Sequence, residues 1–146
     1  MLGTAGRNRG GDLMAIASTD NVVRRLTADG DLDISAGRSV FLAGLEAFVV
    51  GANARLRLVR GEWFADRTRG MPYVENAYVL ATDALLGQAF DEAKARLAYA
   101  TAIRETPGFG ELLVMQLAFD RVTRRLTVTW QARTAFGDTP VTVQEF

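Results

Sequence analysis

The chain has 146 residues, of which 49% are apolar and 23% charged, and this composition is typical of one soluble globular domain. Its 17 basic and 17 acidic residues cancel, which disfavours a protein that binds nucleic acid by neutralising phosphates. Cysteine and histidine are absent, so the chain lacks a disulfide framework, a thiolate nucleophile and a histidine base or metal ligand. The longest apolar stretch, Val40–Val50, is too short to span a bilayer and contains Glu46. The composition therefore predicts a soluble protein, made in the cytoplasm, without signal peptide, membrane contact or cofactor.

The beginning of the chain is poor in residues that can form a core. Residues 1–11 are glycine-rich and polar, and predict a flexible tail ahead of a single domain over residues 12–146. Asp12–Ala17 is compatible with a short strand, and Asp29-Gly30 is a strong turn dipeptide. Leu32 and Ile34 alternate with aspartates, which predicts a short strand that leads into the first helix.

A long apolar stripe predicts the first helix, with Ser39 as its N-cap. The stripe, spaced by threes and fours, consists of Phe41, Leu45, Phe48, Val49, Ala52, Leu56 and Val59. It predicts a helix of about twenty residues. Gly44 and Gly51 would lie in the helix interior, where their cost implies close packing, and Gly61 would be the C-cap.

The stretch Arg60–Tyr73 concentrates charge, aromatic side chains, two glycines and a proline. Alternation over Glu62–Asp66 predicts a short strand, and Thr68–Tyr73 predicts a turn. Residues 74–86 show a mixed pattern that favours neither a helix nor a strand.

A second helix is predicted from Ala89 to Glu105, with Asp91 and Glu92 in its first turn and Pro107-Gly108 beyond its end. Its alanine-rich face, which should contact a sheet, consists of Ala93, Leu97, Ala100 and Ile103 or Arg104.

Two strands with strict alternation follow, joined by a turn at Asp120–Arg124. Their apolar sides are Leu113, Met115, Leu117 and Phe119 on Leu112–Phe119, and Leu126, Val128, Trp130 and Ala132 on the second strand. Gly137-Asp138 then turns the chain into a last strand, Val141–Phe146. The whole pattern predicts an α+β fold: a mostly antiparallel sheet, two main helices packed on one face, a β-hairpin and a final edge strand.

Glu62 and Asp66, beside Trp63, are candidates for the carboxylate pair of a glycosidase. On a strand their Cα atoms would lie about 13 Å apart, whereas such enzymes place their carboxyl groups about 5 to 9.5 Å apart. We therefore favour structural pairing of these acids with neighbouring arginines, and assign no catalytic residue. The possible arginine partners are Arg60, Arg67 and Arg69.

Asp29, Asp31 and Asp33 match the spacing of the first three ligands of a calcium loop. However, Gly30 lies inside the triplet, and Val40 rather than a glutamate occupies the twelfth position. Solvated turn carboxylates are the better interpretation, so no metal is predicted.

The last strand has two compatible interpretations. It can close the sheet as an edge strand, and the same edge can offer unpaired amides and carbonyls to a strand of another chain. The residues concerned are Val141, Thr142, Val143, Gln144, Glu145 and Phe146.

Four features occur in an order that resembles the baseplate wedge family of tailed phages, whose members also initiate the contractile sheath. They are Asp31-Leu32-Asp33, Arg60-Gly61-Glu62-Trp63-Phe64-Ala65-Asp66, Thr106-Pro107-Gly108 and Leu126-Thr127-Val128. The most specific is the second, which Gly70-Met71-Pro72-Tyr73 follows. The resemblance covers about residues 12–146.

The resemblance implies a structural subunit of the virion baseplate, in several copies, expected to be six, around the tail tube. It would link wedge and hub proteins, lie beside sheath and tube proteins, and template the first sheath ring by strand addition. The interface residues would be Arg60, Glu62, Trp63, Phe64, Asp66, Pro72 and Tyr73, and the last strand would face the sheath. Two alternatives stay open: a lysozyme-like muralytic enzyme that uses Glu62 or Glu46, and a tail-completion protein of a non-contractile particle.

Overall fold

The computed structural model describes residues 22–27, 31–35, 37 and 40–146. Over these residues the chain forms two helices and two antiparallel sheets, which confirms the predicted α+β class. The predicted tail, the strand at Asp12–Ala17, the turn at Asp29-Gly30 and the Ser39 cap lie outside the described residues.

A small two-stranded sheet precedes the first helix. Strands β1 (Val22–Arg24) and β2 (Phe41–Ala43) pair antiparallel. Between them, Leu32 forms an isolated bridge with Leu26, so the strand predicted around Leu32 and Ile34 is a single paired residue. A full strand does not form there because the segment serves as a hydrogen-bonded turn.

Asp33 organises that turn. Its carboxylate accepts hydrogen bonds from the amide and the hydroxyl of Ser35, at 2.9 and 2.6 Å, and from Arg25 Nε at 2.7 Å. The bonds from Ser35, followed by that from Arg25, lower the pKa of Asp33 from its usual 3.8 to about 2. Among the described residues, no three His, Cys, Asp or Glu side chains are grouped so that they could hold a metal ion.

Helix α1 spans Gly44–Arg57 and is shorter than predicted. It begins late because the chain just before it is paired as β2, and Gly44 starts the helix with φ of +62°, a conformation that glycine adopts without strain. Gly44 is therefore not an interior glycine. Gly61 is not the C-cap either, because the helix already ends at Leu58, which is extended, and Gly61 lies in the turn beyond with φ of +95°.

Helix α2 spans Glu92–Arg104, inside the predicted range, and Asp91 caps it by accepting a hydrogen bond from the Lys94 amide at 3.1 Å. The predicted face is partly wrong, because Ala93 and Leu97 are exposed. The helix instead buries Ala95, Tyr99, Ala100, Ala102 and Ile103. The two largest of these set the rotation of the helix, since small alanines contribute little buried area.

The main sheet is built from strands β3 (Phe109–Asp120), β4 (Arg125–Thr134), β5 (Gly137–Asp138) and β6 (Thr142–Glu145). Strand β4 is central, with β3 on one side and β5 and β6 on the other, and all pairings are antiparallel. The predicted hairpin and the last strand are thus both present.

A β-bulge changes one predicted position of β3. Leu112 pairs with Ala132 of β4 and Val114 pairs with the adjacent Gln131, so Leu113 is an extra residue without a partner in the register. Because an extra residue shifts the alternation by one, Leu112 packs against the core where Leu113 was expected. Beyond the bulge, Met115 and Leu117 face the core as predicted.

The core joins side chains of both helices to one face of β4. Val128, Trp130 and Ala132 of β4 are fully buried, and the ring of Phe48 meets Trp130 edge-on at 6.4 Å between centroids. The other buried members are Ala52, Leu56, Met71, Ala95, Tyr99, Ala102 and Ile103. In the described part of the chain no helix has the length and apolar character that crossing a membrane requires.

Candidate functional site

The predicted interface residues lie in the segment that leaves α1, residues 58–73, here called the exit loop. Two backbone hydrogen bonds close it: Met71 N–H donates to the Leu58 carbonyl at 2.8 Å, and Arg60 N–H donates to the Met71 carbonyl at 2.9 Å. The strand predicted at Glu62–Asp66 is wrong, because residues 61–68 form successive turns. The alternation misled because none of the strands that the structure describes pairs with this segment. The argument from strand spacing against a carboxylate pair therefore no longer applies.

Asp66 fixes the tip of the exit loop. Its Oδ1 accepts hydrogen bonds from the amide of Thr68 at 3.1 Å and from the hydroxyl at 2.6 Å, and Oδ2 pairs with Arg69 Nε at 2.9 Å. The hydrogen bonds from Thr68, with a smaller contribution from Arg69, lower the pKa of Asp66. The expected arginine pairing of this carboxylate is therefore present, and it orders the loop locally.

The side chains at the loop tip face outward. Phe64 is 85% exposed, and its neighbour Trp63 is also exposed, with the Arg69 guanidinium 5.5 Å from the centroid of its ring. Glu62 is exposed as well. Arg60 is half-buried and donates from Nε to the Gly70 carbonyl at 3.2 Å. Two adjacent aromatic side chains are therefore exposed on a loop that hydrogen bonds hold in place.

Pro72 and Tyr73 belong to the interior instead. The Tyr73 hydroxyl donates to the carbonyl of Leu56, near the end of α1, and accepts from the Tyr99 hydroxyl 3.2 Å away. Its ring lies 6.2 Å from that of Phe146. Burial raises the pKa of both tyrosines, which therefore act as neutral donors. The tyrosine pair, rather than the charged run before it, connects α1 to α2 and to the last strand.

Tyr73→Phe is expected to lower the free energy of unfolding by about 1–2 kcal/mol, because the Leu56 carbonyl loses a buried donor. Urea denaturation of the purified protein measures this loss. The matched control is Tyr78→Phe, because Tyr78 is exposed and its hydroxyl makes no hydrogen bond within the described residues. That control should change stability by less than about 0.5 kcal/mol. Equal losses in the two variants would contradict the assigned role of the Tyr73 hydroxyl.

The last strand presents an open backbone edge. Phe146 and Leu126 exchange both backbone hydrogen bonds, at 2.9 and 3.0 Å. Because bonded and outward-facing residues alternate along an antiparallel strand, Gln144 also points its amide and carbonyl towards β4. Val143 and Glu145 therefore point theirs away from β4, along the outer edge of the sheet.

The opposite edge, formed by β3, is partly covered. Arg96 of α2 donates to the outward carbonyl of Met115 at 2.7 Å. The same guanidinium also donates to the carboxylate of Glu92 at 2.8 Å, which fixes its position. A charged side chain on an outward backbone acceptor blocks the approach of another strand at that point. In the described part of the chain, β6 is thus the more open edge of the main sheet.

A family model described as the contractile injection system sheath initiator matches residues 22–137, which is well over half of the chain. The chain belongs to the sheath initiator family. Comparison with curated proteins gives no match. Membership confirms the resemblance found in the sequence and identifies this sheath initiator as a sheath-related structural component of a contractile system. It implies a location in the tail or baseplate and contact with sheath and baseplate components.

The matched residues include both helices, the exit loop and the β3–β4 hairpin of this sheath initiator, whereas β6 (Thr142–Glu145) follows them. On β6, Gln144 is buried, Thr142 is half-buried and Phe146 packs against the core. Val141 and Val143 are more than half exposed, and Glu145 pairs with Arg125 at 3.4 Å. The edge-strand residues therefore divide between anchoring the strand and facing outward.

Sequence reasoning missed Arg96 and Tyr99 as parts of this arrangement. Arg96 was one of many helix-surface charges, and only its distance to Met115 shows that it covers a sheet edge. Tyr99 was not among the residues of α2 that the alanine spacing predicted to contact the sheet, yet it is buried. The one available signal was its size, since a large aromatic side chain next to Ala100 and one helical turn from Ile103 favours a buried position.

Proposed function

We propose that this sheath initiator starts sheath assembly by offering the β6 edge to a strand of the first sheath ring. The exit loop would hold it against wedge and hub proteins, in several copies, expected to be six, around the tail tube of a phage baseplate. The chain would be made in the host cytoplasm before assembly. Binding would rest on backbone pairing and many modest contacts, with no chemical step.

The observation that carries the proposal is the contrast between the two edges of the main sheet. The outward amide and carbonyl groups of Val143 and Glu145 are those that an added strand would pair with. Val143 is 58% exposed, so an added strand would also cover an apolar side chain next to the edge. On the β3 side, Arg96 already occupies an outward carbonyl. A strand therefore adds more readily beside β6.

The β6 edge is held in place before any partner binds. Thr139 lies just before β6 and makes two hydrogen bonds with Ala132 of β4. Its N–H donates to the Ala132 carbonyl at 2.8 Å, and its hydroxyl oxygen accepts from the Ala132 N–H at 3.0 Å. Phe146 is fixed at the other end by its paired bonds with Leu126 and by its ring contact with Tyr99, 5.3 Å between centroids. A preorganised edge loses little conformational entropy on binding, which favours tight association.

No observation favours the muralytic alternative. A glycosidase needs one carboxyl group whose pKa is raised so that it can act as a general acid. The pKa of Asp66 is lowered, and Glu62 and Glu46 are exposed on the surface. The proposal therefore assigns no catalytic residue.

Val143→Pro tests the role of the edge. Proline removes the outward amide of Val143 and leaves every β6–β4 hydrogen bond in place, because that amide points away from β4. We expect at least about a tenfold drop in the fraction of particles that carry a sheath, equivalent to 1.4 kcal/mol or more of lost binding. Electron microscopy of particles assembled with the variant measures that fraction.

Val143→Ala is the matched control, since it removes the same exposed side chain and keeps the amide; its particles should carry sheath normally. Thermal unfolding of both purified variants must stay close to that of the unmodified chain, so that any defect is one of assembly. Normal sheath on Val143→Pro particles would refute strand addition at β6.

A further inference from the structure

A groove of about 610 Å³ lies between residues 84–90 and the turn that joins β3 to β4. Its floor is apolar and largely aromatic, formed by the partly exposed side chains of Tyr73, Leu126 and Phe146, with the buried Tyr99 behind their surface. At one side Phe90 stacks on Phe119, with 4.4 Å between the ring centroids. The volume is within the range of about 300–1,000 Å³ that binding pockets commonly have.

The wall of the groove is fixed by backbone hydrogen bonds. The amides of Leu85 and Leu86 donate to the carbonyls of Pro72 and Tyr73, at 2.8 and 2.9 Å. The side-chain amide of Gln88 donates to the Ala81 carbonyl at 3.1 Å and to the Ala84 carbonyl. The groove is therefore formed without a ligand. Leu86 is 59% exposed at its mouth, so apolar surface there is left open to solvent.

The rim of the groove is positively charged although the chain as a whole is neutral. Lys94, Arg121 and Arg124 line it, against the single carboxylate of Asp91, which caps α2. Within the described residues neither Arg121 nor Arg124 forms an ion pair, while Lys94 donates to the carbonyl of Thr82 at 2.7 Å. Two unpaired guanidinium groups above an apolar floor are complementary to carboxylates that flank an apolar side chain.

We propose that this basic-rimmed groove binds a segment of a partner polypeptide that places one or two bulky apolar side chains on the aromatic floor and carboxylates against Arg121 and Arg124. The apolar contact would supply most of the affinity, and the two arginines would select an acidic segment. This site uses side chains and needs no backbone pairing, so it is independent of strand addition at β6.

A library of random twelve-residue peptides, selected on the immobilised full chain, tests the groove. Selected peptides should be enriched in phenylalanine or leucine next to aspartate or glutamate. The selected peptides should bind the Ala89→Trp variant at least about tenfold, or 1.4 kcal/mol, more weakly than the unmodified chain, because the new indole would occupy the groove. The matched control is Ala93→Trp, because Ala93 is exposed on α2 outside the groove lining.

Charge is tested separately. The double variant Arg121→Glu, Arg124→Glu should lose binding of the acidic peptides by at least about tenfold, whereas Arg57→Glu, an exposed change of the same type on α1, should leave it within twofold. Circular dichroism of each variant verifies that the fold is kept.

Three results would overturn the proposal: selection of basic or uncharged peptides, equal binding to Ala89→Trp and Ala93→Trp, or no enrichment at all. Self-association of the unmodified chain that Ala89→Trp abolishes would identify a second copy as the occupant. A gain in peptide affinity on removal of residues 1–21 would identify a segment of this chain as the occupant. Either result would also refute a partner polypeptide.

Discussion

Trp130→Ala is expected to lower the free energy of unfolding by about 3–5 kcal/mol. Trp130 is fully buried on β4, the central strand of the main sheet, where its ring contacts Phe48 of α1. Truncation would remove the largest fully buried side chain of the described core and leave a cavity between helix and sheet. Since domains of this size are stable by only about 5–15 kcal/mol, the variant should be close to unfolding at physiological temperature.

The control for this prediction is Trp130→Phe. Phenylalanine keeps an aromatic ring against Phe48, and the indole N–H that it removes has no hydrogen-bond partner within the described residues. The loss should therefore be less than half of that for alanine, since only the smaller cavity contributes. Urea denaturation of both variants measures the two losses. A loss below about 1 kcal/mol for alanine would show that Trp130 does not anchor the core.

The sequence predicted the centre of the sheet well because β4 alternates strictly. Leu126, Val128, Trp130 and Ala132 were placed on one face, and the structure packs all four in the core. Within the β3–β4 hairpin, alternation failed at Leu113 of β3. A bulge inserts one residue without any local signal, and it shows only when the partner strand is known.

The first helix shows how tertiary context overrides a local pattern. Phe41 fits the apolar stripe of α1, but it is paired in β2 and is more exposed than the stripe predicts. The sequence pattern predicted that the helix begins near Phe41. It could not show that this residue pairs with β1, because β1 lies well before it in the chain. Gly44, where the two elements meet, marked the boundary through its positive φ.

The candidate site was only partly predictable for the same reason. The charged and aromatic residues of the exit loop stand out in the sequence, but their roles depend on contacts far along the chain. Tyr73 reaches Leu56 and Tyr99, and Arg96 reaches Met115 across nineteen positions. No local pattern encodes such contacts. Residue types therefore singled out the exit loop, and the fold separated its buried side chains from its exposed ones.

Gly70→Ala is expected to lower the free energy of unfolding by roughly 2–4 kcal/mol and to open the exit loop. Gly70 has φ of +101°, which costs an alanine about 1–2 kcal/mol. An added Cβ would lie 2.5 Å from the carbonyl oxygen of Leu58, so one backbone must move. That oxygen accepts the Met71 amide that closes the loop, and each hydrogen bond lost in the movement costs about 1 kcal/mol more.

Gly87→Ala is the matched control for the conformational part of this cost. Its φ of +83° is equally unfavourable for alanine, but nothing lies within 4 Å of the added Cβ. The control should therefore lose only about 1–2 kcal/mol. Hydrogen exchange separates the local from the global effect: in Gly70→Ala the Met71 amide should lose protection while the amides between β4 and β6 keep theirs. Equal stability of the two variants would show that the clash is relieved without opening the loop. With the predicted pattern, Gly70→Ala disturbs the exit loop and leaves the β6 edge intact, so an assembly defect of this variant would test the proposed role of the exit loop separately from the proposed role of the β6 edge.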